Sequence, residues 1–121
     1  MKQIREDVEK FMNAFGQRMP DECNANLYTN LIHEEYGELR NAVTETEELD
    51  AVIDLVWVLV GFALSRGYDL EGAWNEVKGS NMSKLGPQGI PIYREDGKIL
   101  KGPNYYKPNL SKFTRNDNDN S

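Results

Sequence analysis

Apolar residues recur at helical spacing through Ile4, Val8, Phe11, Met12 and Phe15, and Gly16 closes the run, which predicts a first helix over residues 2–15. Met19-Pro20-Asp21 reads as a connector. The next periodic stretch predicts a second helix from about Asn24 to Val43. A third is expected from Thr44 to Arg66, because Thr44 and Glu47 have the spacing of a capping box and Gly67 supplies a stop. Asp69 is placed to cap a fourth, Leu70 to Lys78, with Leu70, Ala73, Trp74 and Val77 on its inner face. After Gly79 the pattern fails. Pro87, Pro91, Pro103 and Pro108, interspersed with Gly86, Gly89, Gly97 and Gly102, exclude a long helix. Ile90 to Leu100 reads as a hairpin turning at Glu95-Asp96-Gly97. The expected fold is all-α: a bundle of about four helices within residues 1–110, of which 85–110 form an extended Pro/Gly-rich arm that wraps the domain or a neighbour. Residues 111–121 are expected to be disordered.

Two acidic clusters interrupt the helical pattern: His33-Glu34-Glu35-Tyr36-Gly37-Glu38 and Glu47-Glu48-Leu49-Asp50-Ala51-Val52-Ile53-Asp54. On a wheel of about 100° per residue, Leu27, Tyr28, Leu31, Ile32, Leu39 and Val43 fall in one half of the second helix. Glu35 lands in the middle of that half, Glu38 inside it near one edge, and Glu34 just outside. Glu47, Asp50 and Asp54 share one stripe of the third helix, which runs on into Gly61 and Ser65. From Leu55 to Leu64 every residue is apolar or glycine, which predicts a helix buried on most sides. A carboxylate facing such a core costs several kcal/mol unless a cation meets it, and Asp50 and Asp54 also repel each other at i,i+4. A divalent metal relieves both costs, and phosphate chemistry is the usual reason to hold one.

At 121 residues the chain is one domain with a modest core. A net charge of −6 and a pI near 4.8 argue against nucleic acid or an anionic membrane as partner. Cys23 is the only cysteine, so no intrachain disulfide forms and a reducing cytoplasm fits best. Charges throughout Met1 to Phe15 are not those of a signal peptide, and Leu55 to Leu64 falls far short of the roughly 20 residues of a membrane span.

The donor types narrow the metal. Mg²⁺, with Mn²⁺ as a substitute, suits carboxylates, waters and substrate phosphates. Zinc would want His and Cys. A di-iron bundle would want Glu-x-x-His, but Asn30 stands three residues before the only histidine, His33. No phosphate loop with Gly-Lys-Ser/Thr is present. Glu47 is either the capping partner of Thr44 or a ligand. Glu34 and Glu48 are expected to be exposed, and His33 falls on the polar face. Asp54 and Glu35 could instead pair with buried Arg or Lys, but the acids outnumber nearby bases.

These residues resemble a known family. Glu34-Glu35-x-x-Glu38 followed by Glu47-x-x-Asp50 is similar to the paired motif of the all-α nucleoside triphosphate pyrophosphohydrolases, which include MazG-like enzymes, dimeric dUTPases and phosphoribosyl-ATP pyrophosphohydrolase. Asn13-Ala14-Phe15-Gly16-Gln17, Asp54-Leu55-Val56-Trp57 with Gly61, and Asn81-Met82-Ser83-Lys84-Leu85-Gly86 resemble small phage-type MazG-like proteins. So do Tyr93 to Lys98 and Lys101-Gly102-Pro103-Asn104-Tyr105, which carries the resemblance to about Leu110. It implies a homodimer or homotetramer that uses Mg²⁺ to split a nucleoside triphosphate into monophosphate and pyrophosphate. Carried over by motif, Glu35, Glu38, Glu47, Asp50 and Asp54 would hold metal, and Glu35 or Glu34 would accept a proton from water. Lys78, Asn81 and Lys84 would contact phosphate or base. Many relatives have a Glu three residues before the helix-three Asp, where this chain has Ala51.

Two functions follow. One is a metal-dependent pyrophosphohydrolase acting on dUTP, dCTP, another (d)NTP or an alarmone, with phosphoribosyl-ATP the less expected substrate; Tyr28, Tyr36, Trp57 or Trp74 could stack a base, although aromatics at helical spacing are more often core. The other is a regulatory or interaction module that binds nucleotide or metal without turnover. A purely structural oligomer is a third possibility, in which core-facing acids only destabilise.

Overall fold

The computed structural model describes residues 1–115. Its body is four helices, α1 (Lys2–Ala14), α2 (Glu22–Asn41), α3 (Glu45–Ser65) and α4 (Leu70–Met82). Among the described residues there is no strand. The expected hairpin is reduced to a single antiparallel bridge between Tyr93 and Ile99, with Gly97 at φ +89° in its turn. The chain is thus all-α. No described helix is long and apolar enough to cross a membrane.

Local signals explain the boundaries. Helix α2 begins at Glu22, earlier than the apolar periodicity suggests, because the Asp21 carboxylate accepts the N–H groups of Cys23 and Asn24. It stops at Asn41, where Ala42 becomes extended. Thr44 caps α3 by accepting the Glu47 N–H at 3.1 Å, and Gly67 takes the left-handed turn beyond its end at φ +74°. Asp69 caps α4 through the Gly72 N–H. Helix α4 passes through Gly79 instead of ending there, because the arm covers that glycine, as described below.

Helices α2 and α3 form an antiparallel pair whose register is set by one close contact. The Tyr28 ring lies on Gly61, where a Cβ would stand 2.2 Å from Tyr28 Cε1. Tyr28 is fully buried, and its hydroxyl donates to Gln17 Oε1 at 2.6 Å. At the same end, the Asp21 N–H donates to the Ser65 carbonyl. Helix α1 closes the core from one side with Val8 and Met12, packed with Tyr28, Val58, Val60 and Leu64. Each such fully buried apolar side chain contributes about 1.5–3 kcal/mol. Phe11 meets Trp57 edge to face at 5.5 Å.

The expectation that α3 is buried on most sides is corrected within one chain. Val58, Val60, Ala63 and Leu64 are buried, but Leu49, Val52, Ile53, Val56 and Leu59 form an exposed stripe. Only α1 and α2 cover α3 along its length, since the chain turns away at Gly67 into α4.

The arm runs back along α4 of its own chain. Tyr106 lies on Gly79, the Asn109 N–H donates to Glu76, and Phe113 lies on Gly72. The Asp69 N–H donates to the Phe113 carbonyl. Residues 111–115, expected to be disordered, therefore hold defined contacts. The rest of that tail, 116–121, lies outside the described residues.

Two glycines should respond oppositely to the same change. Gly61→Ala forces the Cβ into Tyr28 and should destabilise the fold by about 1–3 kcal/mol. Gly37→Ala meets nothing within 4 Å and should stabilise it by about 0.5–1 kcal/mol. Chemical denaturation of both variants gives the comparison.

Candidate metal centre

The Tyr28–Gly61 contact places the acids. Glu35 stands seven residues after Tyr28 on α2, and Asp54 seven residues before Gly61 on α3. Seven residues are two helical turns, or about 10.5 Å, so each acid keeps the face of its reference residue. In an antiparallel pair, equal steps along both helices stay opposite each other. Glu35 therefore faces Asp54, and Glu38 joins them from one turn further along. One carboxylate oxygen from each of Glu35, Glu38 and Asp54 lies within 4.8 Å of the others.

Glu35 and Asp54 are partly buried, Glu38 is exposed, and no base neutralises the three. Glu35 is half-buried, and its Oε2 has neither solvent contact nor a hydrogen-bond partner. Burial, then the Glu38 carboxyl, then the charges of Asp54 and Glu34 push Glu35 up to about 7. Burial, followed by the charges of Asp50 and Glu38, also raises Asp54 above the usual carboxylate range. The ion pairs found among the described residues, at Lys2, Arg5 and Arg94, involve none of the three acids.

This donor set fits a hard divalent cation. One oxygen from each of three carboxyls converges from two helices, and Glu35 also buries its Oε2 without a partner. Mg²⁺ coordinates such oxygens at about 2.1 Å and keeps other positions for water and substrate. The set offers no nitrogen or sulfur for zinc.

The other sequence candidates lie around this centre or apart from it. Glu47 is exposed, and its carboxylate accepts the Thr44 hydroxyl at 2.9 Å while Thr44 accepts its N–H, so it serves the cap and stays outside the cluster. Asp50 is exposed one turn before Asp54 and acts on it through charge. Lys78 and Asn81 are exposed on α4, and Lys84 is half-buried just beyond it. Among the described residues, neither lysine forms an ion pair with the clustered acids. Tyr28 is buried and unavailable to a base, and Trp57 is engaged by Phe11. Tyr36 and Trp74 are about half exposed. Gln17, which anchors the Tyr28 hydroxyl, had no assigned part in the sequence reading. The signal for it was that a buried tyrosine needs a partner for its O–H. A surface cavity of about 560 Å³ lies at the opposite end of the α2–α3 pair, lined by Pro20, Asp21, Arg66 and Tyr68 among others, and contains none of the candidate acids.

Residues 5–81 match the family model for phosphoribosyl-ATP pyrophosphohydrolase. The match takes in all three clustered acids and ends before the arm. No curated protein matches the chain.

A carboxyl with a raised folded-state pKa binds its proton more tightly when folded, so stability falls as pH rises from the unfolded to the folded value. For Glu35 that window runs from 4.5 to about 7. The metal-free protein should lose stability across it in pH-dependent thermal unfolding. Glu35→Gln should flatten the loss, and saturating Mg²⁺ should abolish it.

Proposed function

We propose, for a chain that belongs to the phosphoribosyl-ATP pyrophosphohydrolase family and hence to the MazG-like all-α nucleoside triphosphate pyrophosphohydrolase superfamily, that it hydrolyses a nucleoside triphosphate to the monophosphate and pyrophosphate with Mg²⁺. The observation that carries this reading is the triad of converging, unneutralised carboxyls at the α2–α3 contact, one of which buries an oxygen without a partner. Glu35, Glu38 and Asp54 would hold the metal, with Asp50 as the adjoining acid and Glu47 beyond it at the cap. A bound divalent cation supplies countercharge and Lewis acidity to the triphosphate, and Mn²⁺ can substitute.

The chain's own groups do the rest. Glu35, or Glu34 beside it, would accept a proton from the attacking water. Lys78, Asn81 and Lys84 bind phosphate or base. Exposed Trp74 and Tyr36 are the available stacking surfaces. The substrate class is a nucleotide with a scissile α–β phosphoanhydride: dUTP, dCTP, another (d)NTP, an alarmone, or the phosphoribosyl-ATP of the family's name. The exposed stripe of α3 supports assembly as a homodimer or homotetramer, since five apolar side chains on one helix face are costly in water. The single cysteine fits a cytoplasmic setting.

Pyrophosphate release from a nucleotide panel, with Mg²⁺ or EDTA, tests the chemistry. Release should require the metal. Glu38→Ala should lower it by more than the roughly 10–100-fold lost with outer-shell partners, without unfolding the helices. Release in EDTA, or an active Glu38→Ala protein, would contradict the reading. For assembly, Leu59→Glu should reduce the mass measured by light scattering to that of a monomer.

A further inference from the structure

The cavity of about 560 Å³ at the far end of the α2–α3 pair has the size of a small-molecule site, a class that spans roughly 300–1,000 Å³. Ser65, on its wall, stands eleven residues after Asp54 on α3, so roughly 16 Å of helix separates the cavity from the metal centre. Three segments wall it, and backbone hydrogen bonds join them. The Asp21 N–H donates to the Ser65 carbonyl at 2.9 Å, which holds the start of α2 on the end of α3. The Asp69 N–H donates to the Phe113 carbonyl at 3.0 Å, and the Phe113 ring lies on Gly72, which brings the end of the arm to the same place. Gly67 completes the junction. The stem of Arg115 lies over it, where a Cβ would stand 2.4 Å from Arg115 Cδ, and Arg115 is thereby carried to the residue next to Arg66.

Charges of both signs line this space. Arg66 and Arg115 do so from the end of α3 and from the arm, Asp21 and Glu22 from the start of α2, and half-buried Tyr68 lies among them. Among the described residues neither arginine forms an ion pair, with these carboxylates or with any other. Asp21 is instead engaged at the helix cap, where its Oδ1 accepts the N–H groups of Cys23 and Asn24. Guanidiniums and carboxylates that share a cavity without closing on each other leave room for a ligand between them. A guanidinium fork matches the oxygens of an oxyanion, and free carboxylate oxygens accept N–H donors. The complementary molecule therefore carries an oxyanion at one end and N–H donors at the other.

We propose that this cavity binds a nucleoside monophosphate at a site separate from the metal centre. Its phosphate meets Arg66 and Arg115, and the N–H groups of its base meet the carboxylates of Asp21 and Glu22. The site is independent of the hydrolase reading and lies partly outside the family match, which ends at residue 81 and so excludes Arg115. Walls held by backbone hydrogen bonds lose little freedom when the ligand enters.

The test is calorimetric titration of the full chain, in EDTA, with AMP, ribose 5-phosphate, adenosine and inorganic phosphate. AMP should bind at one site per chain. Ribose 5-phosphate, which lacks the base, and adenosine, which lacks the phosphate, should bind about tenfold or more weaker. Arg66→Ala and Arg115→Ala should each weaken AMP binding about tenfold or more, and Arg66→Lys, which keeps the charge but not the fork, should recover only part of it. Arg115 is exposed, so its replacement tests the site without touching the core, and thermal unfolding without ligand should match the wild type. Lys98→Ala, an exposed arm lysine outside the cavity lining, should change nothing. Glu38→Ala should also leave AMP binding intact. No AMP binding, or wild-type affinity in Arg115→Ala, overturns the proposal. So does a loss in Glu38→Ala, which would put AMP at the metal centre, and so does inorganic phosphate binding as tightly as AMP. AMP bound through Arg66 and Arg115 in a chain that releases no pyrophosphate would uphold this site and remove the hydrolase reading.

Discussion

The contact between the Tyr28 ring and Gly61 is the constraint on which the rest of the structure depends. It fixes how far α2 slides along α3, and a missing side chain at one position lets a large ring occupy the other. Two turns away on both helices, the same register sets Glu35 opposite Asp54. A slip of one turn would part these carboxyls. The Gln17 amide, by holding the Tyr28 hydroxyl, keeps the ring from turning out of the cleft. A packing contact and a hydrogen bond thus determine an electrostatic arrangement some 10 Å away.

That arrangement works against folding and for chemistry. Partial burial and neighbouring acids raise the proton affinity of Glu35 and Asp54, and Glu35 moves to about 7. The fold tolerates this because Val8, Met12, Tyr28, Val58, Val60 and Leu64 concentrate the apolar core at the other end of the α2–α3 pair. The exposed stripe of α3 is the complementary expense, a helix face left for another surface to cover.

Much of this was legible in the sequence, for identifiable reasons. The four helices announce themselves through caps and stops, Asp21, Thr44, Gly67 and Asp69, whose chemistry is local. Glu35 stood out because an acid in the middle of an apolar face breaks a periodic pattern. The separation of Glu47 from the cluster was not legible, since cap and ligand roles share the same spacing, and only the bond from Thr44 distinguishes them. Helix α4 was drawn too short at Gly79, because a glycine that stops a helix looks the same in sequence as one that receives Tyr106. The exposed face of α3 was hidden for a related reason. An all-apolar run shows that a surface is covered, but not whether its own chain covers it.

The central claim is that Glu35, Glu38 and Asp54 form a divalent-metal site in which Glu35 gives up its proton when the metal arrives. The direct measurement is proton release when Mg²⁺ is added to the metal-free chain in weak buffer near pH 6.5, where Glu35, with a pKa of about 7, is still mostly protonated. The account predicts a saturable release approaching one proton per chain, lost in Glu35→Gln and absent on adding a monovalent salt of equal ionic strength. Addition of Mg²⁺ with no proton release and no saturation, or the same release from Glu35→Gln, would contradict it.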